Sequence, residues 1–203
     1  MSRQLRQKPR LGIFLRGGDY NYQNEILLGA HDECQEHGVD MYCFAGGLAN
    51  ALDPRNLVYN LVAPGDLDAV ILVPGTMAIE DSAEVEVLFQ RFSALPICTI
   101  GTPRANVASL SVDNTRGVWQ LTRHLIEKHG RRRVAFISGP NNEAQQRFAG
   151  YRQALREGGV AYDERLVVAG DFTPPSGARA VSALLSRDRG GCDAIVAGND
   201  WKR

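Results

Sequence analysis

Two rhythms of apolar and polar residues alternate along this chain. Short apolar runs, each closed by glycine, proline or polar residues, read as strands buried on both faces. They are LGIFL at 11–15, VDMYCF at 39–44, DAVILV at 68–73, PICTI at 96–100, RVAFIS at 133–138, RLVVA at 165–169 and DAIVA at 193–197. Between them lie stretches with apolar residues three and four apart, the spacing of one helix face. Residues 22–37 put Leu27, Ala30 and Cys34 on such a face, and 81–92 do the same with Val85, Leu88 and Phe92. A short helix fits 55–62. Asp113 or Asn114 can cap a helix running to His129, striped by Val118, Leu121 and Leu125 and stopped by Gly130. A helix over 143–157 carries Phe148, Tyr151 and Leu155, and Thr173 before Pro174 opens a last one to Ser186.

Strands separated by helices of this length predict βαβ units, mostly parallel sheets and right-handed crossovers. The rhythm breaks at 101–114, where ASLSV at 108–112 reads as a connecting strand and no helix appears. The expected organisation is therefore α/β with two Rossmann-like lobes: a tail over 1–10, an N-terminal lobe over 11–112 and a C-terminal lobe over 113–203.

Composition narrows the function. The chain has 203 residues, 44% of them hydrophobic, and its 23 basic residues balance 23 acidic ones. A surface that grips nucleic-acid phosphates shows excess basic charge, so direct nucleic-acid contact is not expected. No apolar stretch reaches the roughly 18 residues of a membrane span. The N-terminus lacks an apolar signal core, so the expected location is the cytoplasm. Cys34, Cys43, Cys98 and Cys192 are scattered, without a C-x-x-C pair. Cys43 and Cys98 fall within strand-like runs and are expected to be small core hydrophobes.

Enzyme motifs are absent. RGGDYNYQN after the first strand is not a G-x-G-x-x-G turn, and neither a P-loop nor a G-x-S-x-G elbow occurs. All four histidines fall in putative helices rather than at strand ends. His31, Cys34 and His37 are spaced so that a metal can touch all three. No second cluster completes the set and the apolar stripe claims Cys34, so no metal and no cofactor is expected.

The carboxyl ends of the strands are richer. Asp19, Tyr20, Tyr22 and Gln23 follow the first strand, Thr76 the third, Asn141 and Asn142 a later one, and Asn199 and Asp200 the last, with Phe172 beyond VVAGD. Hydroxyls, amides, carboxylates and aromatic faces at such an edge suit a small polar ligand, a sugar or nucleoside. Asp113 and Asn142 are better read as helix caps. Arg147 stands beside the Phe148–Tyr151–Leu155 stripe. Its planar fork can hold two ligand oxygens, and from spacing alone a plain surface arginine fits equally well.

SVDNTRGVWQLTRHLIEKHGRRRVAFISGP, QRFAGYRQAL, VVAGDF and AIVAGND, in this order and spacing, resemble the sensor domain of the LacI/GalR transcription regulators, a periplasmic-binding-protein type I fold. The likeness runs from Leu11 to Asp200 and is looser before residue 95. It implies two lobes around an effector cleft, hinge closure on a sugar or other small ligand, and homodimers. It assigns Arg147 to effector hydroxyls, Asp200 to a cleft carboxylate and Phe172 to an aromatic wall. Asp19 and Tyr22 fall on a ligand-contacting loop, and Asn199 adjoins Asp200 at the last strand end. Gly101 departs from the pattern, standing where many members have a polar pocket residue. The family's helix-turn-helix head is not in these residues, and its elements after GND are replaced by WKR. The second lobe and the return crossings are therefore expected to be incomplete, with weak effector binding. The resulting expectation is a non-enzymatic effector sensor of a transcription regulator. An input domain for a kinase or nucleotide cyclase is the alternative. An exported solute-binding protein and an α/β enzyme stand further off.

Overall fold

The computed structural model describes residues 8–18, 21–48, 53–77, 82–186 and 191–199. Its contacts divide the chain into two compact units, Met1–Ser111 and Val112–Arg203.

The first unit holds β1 (Arg10–Arg16), α1 (Asn21–His37), β2 (Asp40–Gly46), β3 (Ala69–Leu72), α2 (Pro74–Met77), α3 (Ala83–Arg91), β4 (Ile97–Ile100) and β5 (Ala108–Leu110). The predicted 55–62 helix is a 3-10 helix at Pro54–Asn60. The strands form one parallel sheet in the order β2-β1-β3-β4-β5. Side chains alternate across a strand, so β1 feeds two cores. Ile13 and Leu15 pack with Val73 and with Ile26, Leu27 and Ala30 of α1. Phe14 points the other way, with ring centroids 4.6 Å from Phe44 and 5.1 Å from Phe92. Tyr59 closes that second core, its hydroxyl donating to the Leu15 and Gly47 carbonyls at 3.0 and 3.2 Å.

The second unit holds α4 (Asn114–Glu127), β6 (Val134–Ile137), α5 (Asn142–Glu157), β7 (Val167–Val168), α6 (Pro174–Leu185) and β8 (Ala194–Ala197). Its parallel sheet runs β7-β6-β8. Val134 and Phe136 pack toward Ile126, Tyr151 and Leu155, while Ala135 and Ile137 pack toward Ala180 and Leu184 of α6. α4 and α5 touch backbone to backbone: a Cβ on Gly150 would lie 2.1 Å from the Thr115 carbonyl oxygen, so only glycine fits there.

Several expectations need correction. Leu121 is 48% exposed, and α4 instead buries Asn114, Thr122 and Ile126, with Val118 and Leu125 at the margin. The helix ends at Glu127 with Lys128 as its cap, leaving His129 outside it. Cys43 is exposed because β2 is an edge strand of the sheet. The strand expected over 165–169 shrinks to two residues, since Asp163 caps a 3-10 turn that takes up Arg165 and Leu166. The cap of α5 is Asn141 rather than Asn142: its side chain accepts from the Ala144 amide at 2.9 Å. Cys34 is buried, as the α1 stripe predicts.

Candidate functional site

Three chain segments converge at the carboxyl edge of the second unit's sheet. Backbone pairing continues past the strands: Ser138 N donates to Val168 O at 2.8 Å, Gly170 N to Ser138 O at 3.1 Å, and Gly198 N to Ile137 O at 2.8 Å. Onto this platform folds the loop after β7. The Asp171 carboxylate accepts from the Thr173 amide at 2.9 Å and from its hydroxyl at 2.5 Å, and the Asp171 amide donates to Ser176 Oγ at 3.1 Å. These bonds pinch the turn and hold Phe172 at φ 65°, a left-handed conformation that costs a non-glycine residue about 1 kcal/mol. The ring is repaid with a seat over Gly139, where a Cβ would come within 2.1 Å of it.

Phe172, Thr173, Ser138, Ser176 and Asn199 line a cleft of about 160 Å³. That is smaller than the few hundred Å³ of a typical ligand pocket. Its polar groups are hydroxyls and one amide over an aromatic wall. The Thr173 donors are the largest influence holding the Asp171 carboxyl below the usual carboxylate range.

Arg147, in the second turn of α5, reaches the same edge. Its Nε donates to Asn114 Oδ1 at 2.8 Å, its Nη1 to the Gly198 carbonyl at 2.6 Å and its Nη2 to Glu143 Oε2 at 3.1 Å. Gly198 also lines the cleft, so the guanidinium and the cleft share a residue. Asn114 is buried, and its amide donates to Gln146 Oε1 at 3.1 Å. Thr115 Oγ1 donates to the Gln146 carbonyl at 3.2 Å, tying the start of α4 to α5 beneath the arginine. Among the described residues three of the five guanidinium N–H groups are thus engaged.

Of the residues expected at a binding site, Arg147, Phe172 and Asn199 stand at this one edge. The Asn199 amide makes a long 3.5 Å contact with the Phe172 carbonyl. Tyr22 belongs to the first unit, exposed in the first turn of α1. Asp19 and Asp200 lie outside the described residues. Sequence reasoning missed Asn114 and Glu143 as arginine partners. The i,i+4 spacing of Glu143 and Arg147 was the one available signal. Asp113 takes the capping role, accepting from the Arg116 amide, which frees Asn114 for the arginine. Among the described residues, no group of three His, Cys, Asp or Glu side chains is placed to hold a metal.

A family model described as periplasmic binding proteins and the sugar binding domain of the LacI family matches residues 8–202. The chain belongs to that family. It is 43% identical over 103 residues to the HTH-type transcriptional regulator CelR of Thermobifida fusca, a match covering 50% of this chain and 30% of CelR. Over 191 residues it is 25% identical to the HTH-type transcriptional repressor PurR of Klebsiella pneumoniae, covering 92% of this chain and 54% of PurR. The chain spans about half or less of the length of these curated relatives. The solved transcriptional regulator CelR–cellobiose complex superposes with a TM-score of 0.70 at 28% identity, covering 94% of this chain and 59% of that one. These LacI-family relatives are transcription regulators rather than enzymes, which favours the regulator reading over a kinase or cyclase input. No helix among the described residues is long and apolar enough to cross a membrane.

Proposed function

We propose that this chain is the effector-sensing domain of a LacI-type transcription regulator, acting by binding rather than turnover. The observation that carries the reading is Arg147, held by Asn114, Gly198 and Glu143 beside a cleft walled by Phe172. A guanidinium fixed on three sides suits ligand hydroxyls, and the ring suits the apolar face of a sugar. The ligand class is a small sugar, supported by family membership and by the likeness to a regulator solved with cellobiose. Asp200 and Asn199 are proposed to complete these contacts, and Asp19 and Tyr22 are proposed as ligand-contacting residues of the first unit. The domain is proposed to work in the cytoplasm as a homodimer, with any reading of DNA left to a segment outside these residues.

Ligand-observed NMR with cellobiose, glucose and galactose at millimolar concentration tests this, because it detects weak binding. The expected result is a saturable response to at least one sugar, lost in Arg147→Ala and weakened at least about tenfold in Phe172→Ala, the scale of a lost charged hydrogen bond or buried ring face. A response that survives Arg147→Ala removes the arginine from the site. Turnover of any sugar, lost in that variant, overturns the binding-only reading.

A further inference from the structure

Resting on that sensing role, a finer property follows from the charges around the guanidinium. We infer that Glu143 determines specificity: its carboxylate offsets the Arg147 guanidinium it faces, so the site admits uncharged polyhydroxy ligands and turns away phosphorylated or carboxylated ones.

An arginine at a ligand edge is ordinarily an invitation to anions. Here Nε and Nη1 are spent on neutral acceptors, the Asn114 amide oxygen and the Gly198 carbonyl, and among the described residues Glu143 brings the countercharge. Glu143 and Arg147 are 26% and 22% exposed, so their pairing is partly shielded from water and matters more than a surface pair. The carboxylate also supplies what the arginine lacks. A hydroxyl both donates and accepts; it can take an Arg147 N–H while giving its own proton to a Glu143 oxygen. A phosphate ester only accepts, and it meets the Glu143 charge head on.

The N-terminus of α6, a second natural anion seat at this edge, is closed as well. Helix N-termini bind anions through free amide N–H groups. α6 begins with Pro174 and Pro175, which have none. The Ser176 amide donates to Thr173 Oγ1 and the Gly177 amide to the Thr173 carbonyl. Asp171, kept ionised by Thr173, puts a negative charge beside that terminus. Arg179 lies 4.0 Å from the same carboxylate, so this basic side chain too is matched by an acidic one. Among the described residues no ionisable side chain lines the cleft itself.

The test uses inorganic phosphate, the smallest probe of the anion preference, and follows the Arg147 Nε–H resonance by 15N NMR at constant ionic strength. In the wild-type chain phosphate is expected to leave that resonance in place. In Glu143→Gln it is expected to shift it saturably, with phosphate bound at least about tenfold more tightly, the scale of one hydrogen bond to a charged group. Glu143→Asp keeps the charge and should behave as wild type, which covers the case of a misfolded Gln variant. In parallel, wild type should favour glucose over glucose 6-phosphate by at least the same factor. Phosphate binding at Arg147 in wild type, or an unchanged response in Glu143→Gln, overturns the inference while leaving the sugar response lost in Arg147→Ala, and with it the sensing role, untouched.

Discussion

The two units use the same βαβ grammar for different ends. Among the described residues the first spreads its structure across five strands and carries an apolar ring cluster in which Phe14 stacks on Phe44 and meets Phe92 in the same core. The second has three strands among the described residues and concentrates its polar bonds between two helices, where Asn114, Thr115, Gln146 and Arg147 interlock above the Gly150 crossing. The lesson is that an arginine held on three sides needs a rigid support, and a helix pair in backbone contact supplies it.

The sharpest way to break this contrast is Gly150→Ala. The neighbour is a backbone carbonyl that cannot swing away, so the cost is expected to be about 4 kcal/mol. Hydrogen exchange should show β6 amides losing protection while β1 amides keep theirs; equal loss in both would mean the units do not stand apart. Ile126→Ala, emptying the space between α4 and β6, is expected to cost about 3 kcal/mol in denaturant melts.

Tyrosines give a like-for-like pair. The Tyr151 hydroxyl donates to Val134 O at 2.9 Å, so Tyr151→Phe and Tyr59→Phe should each cost about 1 kcal/mol. Burial pushes both phenols up to about 12. A raised folded pKa means that the folded state holds the proton longer. Their contribution is therefore intact below about pH 10, where an unfolded tyrosine ionises, and is lost as pH rises toward 12. Tyrosinate absorbance should show Tyr59 and Tyr151, one in each unit, titrating late.

The smallest effects probe α4. Thr122 is fully buried, and among the described residues its hydroxyl has no hydrogen-bond partner, so Thr122→Val should stabilise by up to about 1 kcal/mol. Leu121→Ala should change stability by less than about 0.5 kcal/mol, because the side chain already faces water.

That last pair explains what the sequence revealed and what it concealed. Strand runs and helix stripes were legible wherever apolar residues did the packing, as in β1, β6 and α5. α4 was misread because two polar residues, Asn114 and Thr122, share its buried line with Ile126, and a search for apolar spacing slides past them to Leu121. Cys43 was misplaced because edge position is decided by strand order, which no local pattern records. At the site, the i,i+4 partner of Arg147 was within reach of sequence reasoning. Asn114, 33 residues away, was not, since only the fold brings it to Nε.

Gly150 carries a consequence for genetics. Scored by ligand response, a saturation screen would place Gly150 alleles among those of Arg147, although that position offers a ligand nothing. A glycine one turn along the helix would masquerade as a contact residue, and only a parallel readout of protein abundance would separate broken recognition from a broken support.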